Sequence, residues 1–126
     1  MKTMKTIDLP RPLRRYYELA RREAEKSDHP KYKLGCVLVK GKKVLSTGRN
    51  DNKTHPKWGR NPWGYLHAET NALYKAEING VDVTGCDVYI YRKGYRLAKP
   101  CKSCYNALRE AGVKNIFYTD HRVEGL

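Results

Sequence analysis

Hydrophobic and polar positions follow first a helical period and then a strand period. In PLRRYYELARREAEKS, apolar and aromatic residues recur at helical spacing, which predicts a first helix over Arg11–Lys26. The proline in the following SDHP ends this helix. LGCVLV (Leu34–Val39) and VLSTG (Val44–Gly48) are typical of two strands joined by a glycine turn. The first part of the chain therefore predicts a helix followed by a β-hairpin.

The second half of the chain predicts two more helices and two more strands. The helices cover residues 67–78 and 101–112, and the strands cover residues 87–92 and 113–119. Residues 49–64 carry turn formers and two tryptophans without a period, so we expect a long loop with a functional role. This order of elements indicates an α/β fold, a mixed sheet covered by helices with its later strands parallel.

Length and apolar content favour one domain over residues 1–126. No apolar run approaches the roughly 18 residues of a membrane-spanning helix. The basic N-terminus has no apolar stretch behind it, so it does not resemble a secretory signal. We therefore expect a cytoplasmic protein without a membrane partner, in which paired cysteines serve a metal or redox site and not a disulfide.

The charge of the chain is strongly positive. Lys and Arg number 26 against 13 Asp and Glu, a formal net charge of +13, and residues 1–50 hold 14 of the bases and 5 of the acids. Such a chain attracts phosphate, on a mononucleotide or on a nucleic acid. The alternative is a soluble surface that is merely rich in lysine.

Two short motifs carry the chemistry. His67 and Glu69 form an H-x-E pattern, and after 30 intervening residues Pro100, Cys101 and Cys104 form P-C-x-x-C, the combined signature of zinc deaminases. The cysteines, at i and i+3, share one helix face, and a helix N-terminus favours their thiolates. His67 can add the third ligand if the N-termini of the two helices meet. One imidazole and two thiolates leave the fourth tetrahedral position of Zn²⁺ open, as in catalytic sites.

Glu69 is the predicted catalytic residue. Water in the open position has its pKa lowered from 15.7 to about 7. A carboxylate beside the metal would then move protons from this water to the ring nitrogen and to the leaving ammonia. The alternatives are an ordinary first-turn acid, a helix-terminal histidine and a structural zinc clip. We interpret Cys36 as a small core residue, and we do not expect Cys86 to bind the metal, because it lacks a paired ligand at motif spacing.

HAETNAL and PCKSC resemble the two zinc motifs of the cytidine and deoxycytidylate deaminase superfamily. Asn71 and Ala72 resemble the deoxycytidylate branch, often encoded by phages. The resemblance implies a cytidine deaminase-like three-layer α-β-α sandwich, with a mixed sheet of four to five strands. It also implies a Zn²⁺ cofactor and a homo-oligomer. The loop DNKTHPKWGRNPWG departs from the glycine-rich loop of the familiar deoxycytidylate enzymes, so control by triphosphates is not expected.

The resemblance also implies that Asn50 binds the sugar of the substrate. The alternative is a turn residue. We expect further substrate contacts from Ala68, Trp63, Tyr91 and Arg92. The ring of Tyr91 could instead be core, and the tryptophans could pack the loop or an oligomer interface.

These residues favour a zinc-dependent deaminase that converts the cytosine of a free nucleotide such as dCMP to uracil. An alternative is a cytosine or adenine deaminase acting on single-stranded DNA or RNA. Basic residues interleave with aromatic rings over residues 53–65 and 91–96, as suits a single strand. A third hypothesis is a noncatalytic, zinc-containing module that binds nucleic acid.

Overall fold

A computed structural model describes residues 2–5, 15–28, 32–50, 67–93, 98 and 100–119. Over these residues the elements are β1 (Lys2–Lys5), α1 (Arg15–Glu25), β2 (Leu34–Lys40), β3 (Lys43–Arg49), α2 (Ala68–Ile78), β4 (Asp87–Arg92), α3 (Lys102–Glu110) and β5 (Asn115–Tyr118). Each helix and strand predicted from the sequence is present, with small differences in its bounds. Residues 11–14 of the predicted first helix and residues 51–64 of the predicted loop lie outside the described part.

The strands form one mixed sheet in the order β1-β5-β4-β2-β3. β2 pairs antiparallel with β3 and β4, whereas β5 pairs parallel with β4 and β1. The parallel β4–β5 pair is connected through α3, which confirms the predicted helical crossover. β1 is the strand that the pattern did not predict, because KTMK is too short and too rich in lysine to give a strand signal.

Helices cover both faces of the sheet, so the predicted three-layer α-β-α sandwich is confirmed. Strand alternation sends Cys36 and Leu38 to one face and Val37 and Val39 to the other. The core under α1 contains Tyr16, Tyr17, Ala20, Ala24, Val37, Val39, Tyr89, Tyr91 and Phe117. The core under α2 and α3 includes Cys36, Leu38, Ala68, Ala72, Leu73, Cys86, Val88, Ile90, Leu108 and Ile116.

Two glycines let the helices lie close on the sheet. A β-carbon at Gly35 of β2 would lie 1.9 Å from the carbonyl oxygen of Ala20 in α1. A β-carbon at Gly48 of β3 would lie 2.3 Å from the carbonyl oxygen of Ala68 in α2. Larger residues would separate these helices from the strands. The second contact matters for function, because Ala68 lies between His67 and Glu69.

In the described part of the chain, no helix has both the length and the apolar character needed to cross a membrane.

Candidate active site

Three metal-ligating side chains meet where α2 and α3 begin. His67 is the N-cap residue of α2, Cys101 is the N-cap residue of α3, and Cys104 lies in the first turn of α3. Their ligand atoms all lie within 4.8 Å of one another. The fold therefore brings together the three residues that the sequence predicted to share a metal, through the meeting of two helix N-termini.

The spacing of the three ligand atoms suits a tetrahedral zinc ion. Nδ1 of His67 lies 3.0 Å from Sγ of Cys104 and 3.7 Å from Sγ of Cys101. Zinc–sulfur and zinc–nitrogen bonds of about 2.3 and 2.0–2.1 Å place tetrahedral ligand atoms about 3.5–3.8 Å apart. One distance thus matches and the other is shorter by about half an ångström. Three ligands leave one tetrahedral position for water or substrate.

The electrostatics of the cluster call for a cation. Burial raises the pKa of the Cys104 thiol well above its usual range, and the nearby Glu69 and Cys101 raise it further. The main-chain N–H of Cys104 donates to Sγ of Cys101 at 3.5 Å, as expected of an N-cap residue. If these groups were all ionised they would repel one another, and a divalent cation between the sulfurs would remove that repulsion. A histidine with two cysteines is a donor set that zinc prefers, so the residues fit this metal.

Glu69 lies beside the cluster without belonging to its group of ligand atoms. Its side chain is in the first turn of α2 and the residue is 4% exposed. Burial raises the pKa of the Glu69 carboxyl, while its main-chain N–H, His67 and a hydrogen bond with Cys104 oppose the rise. A buried carboxyl with a raised pKa next to a ligand is well suited to take up and release a proton.

Asn50 follows β3 directly, and its buried side chain is bonded to the chain itself. Oδ1 accepts from the main-chain N–H of Leu34 and from Oγ of Ser27, both at 2.8 Å, and Nδ2 donates to the carbonyl of Tyr32. Asn50 therefore makes more side-chain hydrogen bonds than the simple turn residue of the alternative would need. Binding of a sugar by Asn50 stays a prediction. Ala68, also predicted to contact substrate, is buried between His67 and Glu69.

The other residues predicted to contact substrate are Tyr91, Arg92 and Trp63. Tyr91 is 5% exposed and belongs to the core under α1, on the sheet face opposite α2 and α3. This burial argues against contact with a substrate at the cluster, and it agrees with the alternative that the ring is core. Arg92 is half-buried, with its guanidinium 4.9 Å from the centre of the Tyr32 ring. Its role stays a prediction, as does that of Trp63, which lies outside the described residues.

The two cysteines outside the motifs are core residues, as predicted for Cys36. Cys36 and Cys86 have no exposed surface and belong to the cluster under α2 and α3. Burial raises the pKa of both thiols, that of Cys86 to about 11. Neither belongs to the group of ligand atoms formed by the described residues.

The sequence did not identify two polar residues that connect the elements around the site. The carboxylate of Glu23, in α1, lies 2.9 Å from the Arg49 guanidinium, with Lys26 and Lys75 at 3.6 and 3.8 Å. The sequence signal for the burial of Glu23 was its position between Ala20 and Ala24, on the apolar face of α1. Oδ1 of Asn71, two residues after Glu69, accepts from the Arg49 main-chain N–H at 3.1 Å. Together these contacts fix the end of β3 against α1 and α2.

Comparisons with known proteins agree with this site. Residues 10–120 match the family described as the cytidine and deoxycytidylate deaminase zinc-binding region. The chain is 29% identical over 120 residues to the deoxycytidylate deaminase of Schizosaccharomyces pombe, and 27% identical over 120 residues to that of Mycobacterium phage D29. These matches cover 82% and 79% of this chain. They cover 35% of the S. pombe enzyme and 88% of the phage enzyme, so the chain spans about a third of the former.

Solved structures support the fold. The crystal structure of dCMP deaminase from the cyanophage S-TIM5 in its apo form is similar with a TM-score of 0.69 at 25% identity. The match covers 89% of this chain and 86% of that one. The cyanophage enzyme has also been crystallised in complex with dCMP and dUMP. Because the family match spans most of the sequence and includes both zinc motifs, the chain belongs to the cytidine and deoxycytidylate deaminase zinc-binding family.

Proposed function

We propose that this chain is a zinc-dependent hydrolytic deaminase that converts the cytosine base of a free nucleotide, with dCMP as the leading candidate, to uracil. The observation that carries the proposal is the position of Glu69, a buried carboxyl in the first turn of α2, two residues after His67, that does not belong to the group of three ligand atoms. A structural zinc site closes its coordination with four ligands. Three ligands with a buried acid alongside are the arrangement of a hydrolytic site.

The chain's own residues would divide the work as follows. Nδ1 of His67 and the sulfurs of Cys101 and Cys104 would hold the metal. A zinc ion so held supplies a Lewis acid that makes water nucleophilic at neutral pH. Glu69 would accept a proton as water adds to C4 of cytosine and deliver it to N3. It would then transfer the second proton of the water to the departing amino group, so that one water is consumed and one ammonia released.

A free nucleotide is the substrate class that the relatives support. The deoxycytidylate deaminases of S. pombe and phage D29 are named for this substrate, and the cyanophage enzyme binds dCMP and dUMP. The net charge of +13 favours a phosphate-bearing ligand. The single-strand alternative depends on residues 53–65 and 91–96, most of which lie outside the described part. The oligonucleotide in the assay below therefore tests this alternative.

The test offers the zinc-loaded protein dCMP and a cytosine-containing single-stranded oligonucleotide in parallel, with ammonia and uracil as products measured. Glu69→Gln keeps the size of the side chain and removes its proton transfer. Glu77→Gln, at an exposed position of the same helix, is the matched control. We expect turnover of dCMP by wild type and Glu77→Gln, and a loss of about 10²–10⁴-fold in Glu69→Gln with unchanged zinc content.

Each other outcome has a distinct meaning. Equal turnover by Glu69→Gln would remove the catalytic role of this residue. Turnover of the oligonucleotide alone would show that the substrate class is wrong. Zinc binding without turnover of either substrate would favour the noncatalytic module.

We also propose that residues 1–126 act as one domain and that the protein is a homo-oligomer. Both follow from the sequence and the family resemblance. Light scattering coupled to size-exclusion chromatography measures the particle mass directly, and a value near the 14.6 kDa of one chain would contradict the oligomer.

A further inference from the structure

The carboxamide of Asn50 is held by the chain from several sides. The main-chain N–H of Leu34 donates to Oδ1, and the Ser27 hydroxyl lies 2.8 Å from Oδ1 and shares its one hydrogen between Oδ1 and the main-chain carbonyl of Asn50. One acceptor, the carbonyl of Tyr32, takes a hydrogen from Nδ2. Asn50 is 7% exposed and Ser27 is 3% exposed, so these bonds are shielded from water. Shielded bonds of this kind hold a side chain in one orientation.

Main-chain partners decide which end of the carboxamide is oxygen. An N–H group can only donate and a carbonyl oxygen can only accept, so Oδ1 must face Leu34 and Nδ2 must face Tyr32. The Leu34 N–H and the Ser27 hydroxyl both lie beside Oδ1, so the chain itself surrounds this oxygen. Nδ2 carries a second hydrogen besides the one given to Tyr32. A ligand that meets Asn50 would therefore meet a hydrogen-bond donor.

Ser27 is well placed to maintain this orientation. It directly follows the last turn of α1, where its main-chain N–H donates to the carbonyl of Ala24 at 3.0 Å. Its hydroxyl lies within hydrogen-bonding distance of both the main-chain carbonyl and Oδ1 of Asn50. Ser27 thus ties the end of α1 to the residue that follows β3.

The end of β3 is in turn fixed to the helix that carries Glu69. The main-chain N–H of Arg49 donates to Oδ1 of Asn71, and Gly48 packs against the carbonyl of Ala68. Asn50 is the next residue along the chain. Its orientation is consequently set within the same framework as that of the proposed proton carrier.

We propose that Ser27 is a positioning residue for the substrate: its hydroxyl holds the Asn50 carboxamide so that Nδ2 donates to an acceptor oxygen, such as a sugar hydroxyl, of the nucleotide. This inference rests on the proposed function and deepens it, because it assigns a residue outside both zinc motifs to sugar recognition. Ser27 acts through Asn50 and has no part in the proton transfers.

The kinetic test is Ser27→Ala, with Ser46→Ala as the matched control. Ser46 also donates a serine hydroxyl bond of 2.8 Å, to the carbonyl of Ala72, and so loses a bond of the same kind elsewhere. We expect Ser27→Ala to raise KM for dCMP about tenfold while kcat stays within about twofold, the size expected for one hydrogen bond. Ser46→Ala should leave KM unchanged. Equal KM values in the two variants would overturn the proposal.

A second measurement does not depend on activity. In ¹⁵N-labelled protein, the two Nδ2 hydrogens of Asn50 should be well separated in frequency and slow to exchange, and Asn50→Asp identifies their signals by removing them. Ser27→Ala should bring the two signals together and speed their exchange with water, and Ser46→Ala should not. Unchanged signals in Ser27→Ala would overturn the proposal.

The two measurements separate the two claims. If wild type does not deaminate dCMP, the proposed function fails, and the positioning of a substrate fails with it even where the NMR signals respond. If wild type is active and the NMR signals respond but KM does not, the proposed function stands and the role assigned to Ser27 is overturned.

Discussion

Substituting Gly48 by alanine tests whether β3 positions the active-site helix. A β-carbon at this position would lie 2.3 Å from the carbonyl oxygen of Ala68 and 2.5 Å from the main-chain nitrogen of Ala72. Both atoms belong to the backbone of α2, so no side-chain rotation can relieve the contacts. The helix or the strand must move.

The size of the effect follows from these distances. Raising the contact with Ala68 from 2.3 Å to 3.0 Å, below which real β-carbons are essentially never found, requires a separation of about 0.7 Å. Overpacking of this kind costs about 3 kcal/mol, which lowers Tm by about 10 °C in a domain of this size. Catalytic geometry tolerates about 0.5 Å, and a misplacement of about 1 Å costs about 10²-fold in rate. We therefore expect kcat of Gly48→Ala to fall about 10- to 100-fold.

The assay combines thermal unfolding with turnover of dCMP by the zinc-loaded protein. Gly41→Ala is the matched control, since Gly41 lies in the β2–β3 turn at φ 63° with no atom within 4 Å of an added β-carbon. That control should lose about 1 kcal/mol through backbone strain and keep its kcat. If Gly48→Ala loses no more stability and no more activity than Gly41→Ala, the close packing of β3 on α2 does not position the site.

Three further predictions concern the metal and the buried charge. Removing zinc with a chelator should lower Tm by about 10 °C or more, because a bound ligand at 1,000 times its Kd adds about 4 kcal/mol to the free energy of unfolding. Scanning calorimetry measures this drop in Tm and its reversal when zinc is added back. In the folded, metal-free protein at pH 7, a thiol reagent should label exposed Cys101 before Cys36 and Cys86, as mass spectrometry would show; early labelling of the core cysteines would contradict their burial. Glu23→Gln should lower the free energy of unfolding in urea by about 2–3 kcal/mol, because it removes the buried carboxylate that faces the Arg49 guanidinium. Glu25→Gln, at an exposed position, should lower it by less than about 1 kcal/mol.

The group of His67, Cys101 and Cys104 could be predicted from the sequence because each motif is local. The spacing within H-x-E and within P-C-x-x-C sets the relation between neighbouring side chains, and both motifs begin a helix. The only long-range step was the meeting of two helix starts, which the alternating order of helices and strands made reasonable. Sequence reasoning thus reached His67, Glu69, Cys101 and Cys104 without coordinates.

The contacts around Asn50 and Glu23 depend on long-range packing that leaves no local pattern. Ser27 is 23 residues from Asn50 and was read only as part of the turn that ends the first helix. The helical pattern does not distinguish Glu23 from the other charged residues of the first helix, although Ala20 and Ala24 beside it are buried. The sequence pattern does not predict β1 for a related reason: this strand forms by pairing with β5, and its own composition gives no strand signal.

The same distinction changes how the net charge should be interpreted. The sequence contains 26 basic residues, but it does not show which of them have an acidic partner in the fold. Arg49, Lys26 and Lys75 surround the buried Glu23, and Arg21 pairs with two glutamates of its own helix. These cations help to hold α1, β3 and α2 together. Because some of these basic residues are paired and stabilise the fold, the count of 26 overstates what is available to a phosphate. The net charge of +13 already subtracts the acids, so it is this excess that attracts a phosphate-bearing ligand.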